Sequence, residues 1–167
     1  MYHTDKYEMP FLTKVMPLVG PPTLEKEHEE IWQLLINVQK LSGKTGGIVE
    51  RLATDLKPHI DKEESLVLPL LGILRELVNE KLSITQAKRA AAIYSRFGKE
   101  YPGMLHGHRE LSKALDRLKR VGGEEGHLTA VRFAEKLEKH SQEEEEVLYP
   151  AALLAGRLAT NRSRSRK

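Results

Sequence analysis

One eleven-residue pattern occurs twice in this chain of 167 residues, and it constrains the fold more than any other feature. Each copy reads His-x-x-x-Glu-Glu-x-x-x-x-Pro, with a further histidine 31 or 32 residues upstream. The residues are His28, His59, Glu63, Glu64 and Pro69 in the first half, and His108, His140, Glu144, Glu145 and Pro150 in the second. A histidine and a glutamate four positions apart lie on one side of an α-helix. The repeat therefore predicts helices in two similar halves.

The composition agrees with a helical protein. Hydrophobic residues make up 40% of the chain, charged residues 31% and aromatic residues 5%, and stretches rich in Leu, Ala, Glu, Lys and Arg favour helices over strands. No alternating pattern of apolar and polar residues indicates a strand. The length suits one domain with a sizeable core. We therefore expect an all-α protein, an up-down-up-down four-helix bundle with short loops.

Proline, glycine and charge divide the chain into three parts. An irregular N-terminal arm is expected at 1–22, the bundle at 23–158, and a disordered basic tail at 159–167. The apolar spacing predicts helices at about 24–41, 48–79, 84–120 and 128–158. Pro69 is expected to interrupt the second helix, and Gly98 with Pro102 to kink or break the third.

Apolar residues at steps of three and four define a core-facing stripe on each helix. The stripes are Leu24, His28, Ile31, Leu35, Val38; Leu52, Leu56, His59, Glu63, Leu66, Leu70; Met104, His108, Leu111, Leu115, Leu118; and Phe133, Leu137, His140, Glu144, Val147, Ala151. Four histidines and two glutamates thus lie among core residues. His127 matches no stripe and is expected at the surface.

The predicted burial of these polar residues indicates which chemistry they support. A lone glutamate in a core costs several kcal/mol unless it is paired, protonated or bound to a metal. Imidazole and carboxylate without thiolate suit iron, manganese or zinc, and the mixed set at a buried pair of sites favours iron. The candidate metal ligands are His28, His59, Glu63, His108, His140 and Glu144. Glu64 and Glu145 lie beside the stripes, where each could serve as a ligand or as an outer contact.

The arrangement His28, His59-x-x-x-Glu63, His108, His140-x-x-x-Glu144 resembles the hemerythrin-like family, also called the HHE cation-binding domain, over about residues 22–158. The resemblance implies a four-helix bundle that holds two iron ions joined by an oxo or hydroxo bridge. It also implies that His28 and His59 ligate one iron, that His108 and His140 ligate the other, and that Glu63 and Glu144 bridge them.

The chain departs from the oxygen carriers of that family. They have a fifth histidine four residues before the third-helix ligand, where this chain has Met104, a poor ligand for hard iron. His106 lies about 200° around the helix from His108, and Tyr101 could bring a phenol to the site if the helix continues through Pro102. We therefore expect a non-haem di-iron protein that binds or reacts with oxygen, peroxide or nitric oxide, with sensing or detoxification favoured over carriage and peroxide- or oxygen-reducing activity left open.

Two alternatives use other features. A ferritin-like di-iron protein needs Glu-x-x-His on two helices. Glu25 and His28 match this motif, but the residues three positions before His108 and His140 are Leu105 and Leu137. The second alternative is a metal-independent helical interaction module whose basic tail contacts a macromolecular partner.

Charge and hydropathy bear on partners and location. The net charge is +3, but residues 161–167 hold four positive charges and no negative one, so the rest of the chain is close to neutral. We expect a solvated tail and neither a nucleic-acid nor a membrane partner. No stretch reaches the roughly 18 to 20 apolar residues of a membrane span, no apolar signal segment follows Met1, and there is no cysteine. A cytoplasmic protein is expected.

Overall fold

Helices account for all regular structure in the part of the chain that the computed structural model describes, residues 18–164. They are α1 (Pro22–Val38), α2 (Gly43–Leu66), α3 (Leu68–Gly72), α4 (Leu74–Val78), α5 (Ile84–Glu124), α6 (Leu128–Glu143) and α7 (Tyr149–Arg164), with a π-helical turn (Glu144–Leu148) between α6 and α7. The all-α prediction is confirmed. Most of the predicted arm (1–17) and the last residues of the predicted tail (165–167) lie outside the described residues.

The helices form a bundle around α5, the longest of them. It packs against α2, α6 and α7, while α1 packs against α2 and α6. One apolar cluster joins α1, α2, α6 and the C-terminal half of α5, and a second joins α3, α7 and the N-terminal half of α5. None of the helices within residues 18–164 is long and apolar enough to cross a membrane.

Side chains cap two of the long helices. The Ser83 hydroxyl accepts a hydrogen bond from the Gln86 backbone N–H, and the Gln86 side chain accepts one from the Ser83 N–H. This capping box begins α5 at Ile84, where the sequence predicts the third helix to begin. At the start of α2, the Glu125 carboxylate accepts hydrogen bonds from the backbone N–H groups of Lys44 and Thr45 and from the Thr45 hydroxyl. Glu125 thus fastens the end of α5 to the first turn of α2.

Proline has different effects at two positions. Pro69 lies in the first turn of α3, two residues after the interruption at Val67. Proline fits this position because a backbone N–H in the first turn has no partner within the helix. The predicted irregularity at Pro69 is confirmed. The predicted break in the third helix is wrong, because α5 continues through Gly98 and Pro102. The fully buried side chains of Phe97 and Met104 on either side of Pro102 hold this stretch in the core, and their packing outweighs the loss of one helical hydrogen bond.

The last helix extends six residues beyond its predicted end. It reaches Arg164, and Ala159 is buried among the residues of the second apolar cluster. The Arg162 guanidinium donates hydrogen bonds to the carbonyls of Leu82 and Glu80, at 2.7 and 3.0 Å. The prediction of a disordered tail is therefore wrong for residues 159–164, because packing and these bonds order the helix end.

Candidate metal centre

The six predicted ligands meet in one layer between the two apolar clusters. They come from α1 (His28), α2 (His59 and Glu63), α5 (His108), α6 (His140) and the π turn (Glu144). Along α2 the layer falls between Leu56 and Leu66, which belong to different clusters. Five of the six residues are buried, and His59 is partly exposed.

The layer contains two ligand sets that share both glutamates. His28 and His140 form one set with Glu63 and Glu144, and His59 and His108 form the other with the same two carboxylates. In each set the potential ligand atoms all lie within 4.8 Å of one another. The pairing implied by the family resemblance, His28 with His59 and His108 with His140, is not the one observed. Since α1 packs against α6 and α2 packs against α5, their histidines pair across those contacts.

Glu144 reaches both sets with different oxygens. Its Oε1 lies 3.0 Å from His140 Nε2 and 3.8 Å from His28 Nε2, whereas its Oε2 lies 3.3 Å from His108 Nε2. Glu63 repeats this division, with Oε1 at 2.9 Å from His59 Nε2 and Oε2 at 3.7 Å from His28 Nε2. Both carboxylates therefore face both ligand sets.

A carboxylate lies beside the outer ring nitrogen, Nδ1, of three of the four histidines. Glu64 Oε1 lies 3.4 Å from His28 Nδ1, Glu145 Oε1 lies 2.9 Å from His108 Nδ1, and Glu27 Oε1 lies 3.3 Å from His140 Nδ1 without hydrogen-bond alignment. An imidazole that donates its Nδ1 proton outward presents the Nε2 lone pair inward, as a metal ligand does. Glu64 and Glu145 thus act as outer contacts of the histidines. The sequence analysis missed Glu27, although it directly precedes His28.

Charge in the layer is shared between imidazoles and carboxylates. Burial alone would lower the pKa of His108, but hydrogen bonds to Glu144 and Glu63 raise it to about 10. Burial opposes the charge on His140 in the same way, and Glu144 raises the pKa of His140 to about 9. Burial would raise the pKa of Glu144, yet hydrogen bonds from the histidines hold it well below its usual range. Protons on the histidines therefore balance the buried carboxylates, and a cation must displace them.

Tyr149 is a site residue that the sequence analysis missed. Its buried hydroxyl donates a hydrogen bond to Glu63 and lies 3.2 Å from His108 Nε2. The π turn causes this placement, because it shifts the inward face by one residue after Glu144. Val147, predicted to face inward, is 59% exposed, and Ala151 is only partly buried.

The other residues considered for the site lie elsewhere. Met104 packs in the second apolar cluster, and His106 is exposed. Tyr101 packs against Tyr149 with ring centroids 6.1 Å apart, so it contacts the residue that touches the ligands. His127 lies outside the layer, beside Glu125.

The burial of the two carboxylates bears on whether this layer suits a metal ion. Glu63 and Glu144 are 1% and 3% exposed, and four imidazole Nε2 atoms face them. Carboxylates so deep in a core require compensation, which histidine protons or a cation can provide. The donor set is nitrogen and oxygen only. Comparison with known proteins adds nothing to this geometry, since no family model, no curated protein and no solved structure matches the chain. The layer could hold a metal ion.

Proposed function

We propose that this chain is a hemerythrin-like protein, with up-down-up-down topology, that binds two iron ions and binds or reacts with oxygen, peroxide or nitric oxide. The observation that supports it best is that the two carboxylate oxygens of each glutamate face different histidine pairs. A carboxylate whose two oxygens face two different ligand sets is suited to join two cations about 3.5 to 4 Å apart. A single ion would leave one histidine pair unused.

The donor chemistry supports iron. Each set offers two imidazoles and two shared carboxylates, a mixture that iron, manganese and zinc accept and that favours iron where two ions lie together. Iron would supply one-electron redox chemistry, which the side chains of this layer lack. Outer hydrogen bonds to Glu64 and Glu145 keep the Nε2 atoms of His28 and His108 turned inward, and Glu27 lies 3.3 Å from His140 Nδ1.

The space beside the ligands supports a small partner molecule. A cavity of about 10 Å³ borders the layer, with apolar walls from Ile31, Leu56, Ile60, Leu111 and Leu137. Such a volume is close to that of one water-sized sphere. Oxygen, peroxide or nitric oxide is of this scale, whereas an organic substrate is not. The rest of the lining is polar and consists of His59, Glu63, His140, Ser141 and Glu144.

Tyr149 holds a proton on the opposite side of the layer. Burial raises the pKa of its phenol, and the charges of Glu63 and Glu144 raise it further. The phenol therefore stays neutral and donates a hydrogen bond to Glu63. In this position it can stabilise negative charge on that carboxylate. Met104 in place of the carriers' fifth histidine favours sensing or detoxification over carriage.

Metal analysis tests the proposal. Protein purified from iron-replete cells should contain about two irons per chain and show ultraviolet oxo-to-iron absorption bands. The alternative, a metal-independent interaction module, predicts metal-free protein that is equally stable with and without a chelator. That result would refute the proposal. Rapid mixing of the reduced protein with oxygen and with peroxide then separates the functions, because a long-lived oxygen adduct indicates a carrier and rapid consumption of peroxide indicates an enzyme.

A further inference from the structure

The two halves of the layer differ at the residue that precedes the upstream histidine. Glu27 precedes His28 in the first half, and Gly107 precedes His108 in the second. Glu27 turns its carboxylate to His140 Nδ1. Gly107 faces His59 Nδ1 instead, and a Cβ built on it would lie 3.6 Å from that nitrogen. Within residues 18–164, no carboxylate takes the place beside His59 Nδ1 that Glu27 has beside His140.

A groove opens where that carboxylate is missing. Its volume is about 550 Å³, and its floor includes His59, Gly107, Leu52, Leu56, Leu111 and Ala114. The His59 side chain is 14% exposed, compared with 3% for His28, 2% for His108 and 5% for His140. His59 is therefore the most exposed of the four histidines, and it both reaches the layer and borders the groove.

We propose that this groove is the route by which divalent metal ions enter and leave the layer, and that His59 is the ligand that turns outward to admit them. Within the described residues His59 has no outer hydrogen bond, and its ring is held from the inner side, where Nε2 lies 2.9 Å from Glu63 Oε1 and 2.7 Å from His108 Nε2. The groove beside Gly107 gives the His59 ring room to rotate. Outer hydrogen bonds to Glu64 and Glu145 hold His28 and His108. His140 has Glu27 at 3.3 Å from its Nδ1 without a hydrogen bond, but it is only 4% exposed and has no groove to turn into among residues 18–164. The proposal rests on metal binding by the layer and does not depend on the metal being iron.

The charge at the rim suits a cation. Asp55 and Glu110 border the groove, and Glu110 is paired with Lys113 at 2.7 Å. A smaller cavity of about 210 Å³ borders His108 on another side of α5. There Glu145 already occupies His108 Nδ1, and the other lining carboxylate, Glu138, is paired with Lys119 at 3.0 Å. Arg109 adds a positive charge to the same cavity. The groove beside His59 is the more favourable route.

Substitution of the glycine tests the route. Gly107→Glu should give His59 an outer carboxylate like that of His140 and should narrow the groove. We expect Co²⁺, loaded alone and followed by its visible absorption, to leave for an excess of chelator roughly tenfold more slowly in this variant. Gly107→Ala should slow release less. Gly98→Glu and Gly98→Ala are matched controls on the same helix, since a Cβ there meets nothing within 4 Å. Equal release from the Gly107 and Gly98 variants would overturn the proposal.

Chemical modification provides a readout that needs no bound metal. In the metal-free full chain, diethyl pyrocarbonate should modify His59 faster than His28, His108 or His140, as mapped by peptide mass spectrometry. Gly107→Glu should remove this difference, and Gly98→Glu should keep it. Equal modification of the four histidines in the unsubstituted chain would overturn the proposal. A chain that exchanges Co²⁺ through His59 but acquires no iron would refute the di-iron function alone.

Discussion

The Tyr149 hydroxyl donates a hydrogen bond to the Glu63 carboxylate, although the two residues lie 86 positions apart. Tyr149 begins α7, Glu63 belongs to α2, and the same hydroxyl lies 3.2 Å from His108 Nε2 of α5. The phenol ring also stacks on the His108 imidazole, with centroids 5.4 Å apart. One side chain therefore connects three helices and touches both kinds of candidate ligand.

Tyr149→Phe should lower the affinity for metal roughly tenfold, because an outer partner of Glu63 is lost. In the metal-free protein it should also lower the free energy of unfolding by about 1–3 kcal/mol, since a buried carboxylate oxygen loses its donor. Metal titration and urea unfolding measure the two effects. Tyr101→Phe is the matched control, because Tyr101 packs beside Tyr149 without touching the ligands. If both variants behave alike, the effect comes from packing and not from the hydrogen bond.

His59→Ala and His140→Ala should each lose most of the bound metal. In the metal-free protein His140→Ala should cost about 3–5 kcal/mol of unfolding free energy, because Glu144 loses a buried charge partner at 3.0 Å. His127→Ala is the control, since His127 lies outside the layer. Elemental analysis and urea unfolding provide the measurements. Full metal content in both ligand variants would show that the ligand assignment is wrong.

The candidate ligands could be predicted from the sequence because burial and helical spacing act locally. Steps of three and four residues place His28, Glu63, His108 and Glu144 on core stripes, and all four are buried. Those steps assume α-helical geometry throughout. The π turn adds one residue to the period after Glu144, so Tyr149 takes the inward position. The same turn explains why Val147 is exposed.

Partner choice between helices could not be predicted in the same way. A stripe shows which residues of a helix face the core, but not which neighbouring helix they meet. His28 pairs with His140 because α1 packs against α6, and this is a property of the whole bundle. The outer contact of Glu27 with His140 has the same origin, since the two residues share neither a helix nor a motif. Long-range packing therefore decided the pairing of the histidines and the position of Glu27, whereas the π turn decided the position of Tyr149.

Metal uptake should release protons. The pKa values of His108 and His140 are raised to about 10 and about 9, so both imidazoles are protonated at neutral pH in the metal-free protein. A metal ligand must be deprotonated, and we expect about two protons to be released from these two residues on metal binding near pH 7. The apparent affinity should consequently rise as the pH rises toward 9. A pH indicator in weak buffer counts the protons during titration. Uptake without proton release would contradict the charge balance described for the layer.

Glu125, which lies far from the metal layer, should make the free energy of unfolding depend on pH. Hydrogen bonds from the Thr45 hydroxyl and from the backbone of Thr45 and Lys44 lower the pKa of Glu125 from 4.5 to about 2. A carboxyl whose pKa is lower in the folded state stabilises the protein above its unfolded pKa, and this contribution is lost as the pH falls toward the folded pKa. Glu125→Gln should therefore lower the free energy of unfolding at about pH 6 and should lower it less at about pH 3. Urea unfolding at both pH values measures the difference.

Glu124→Gln is the matched control, because the neighbouring Glu124 pairs only with Arg120 on the exposed surface. An equal loss in the Glu125 variant at both pH values would mean that the carboxylate charge does not stabilise the start of α2.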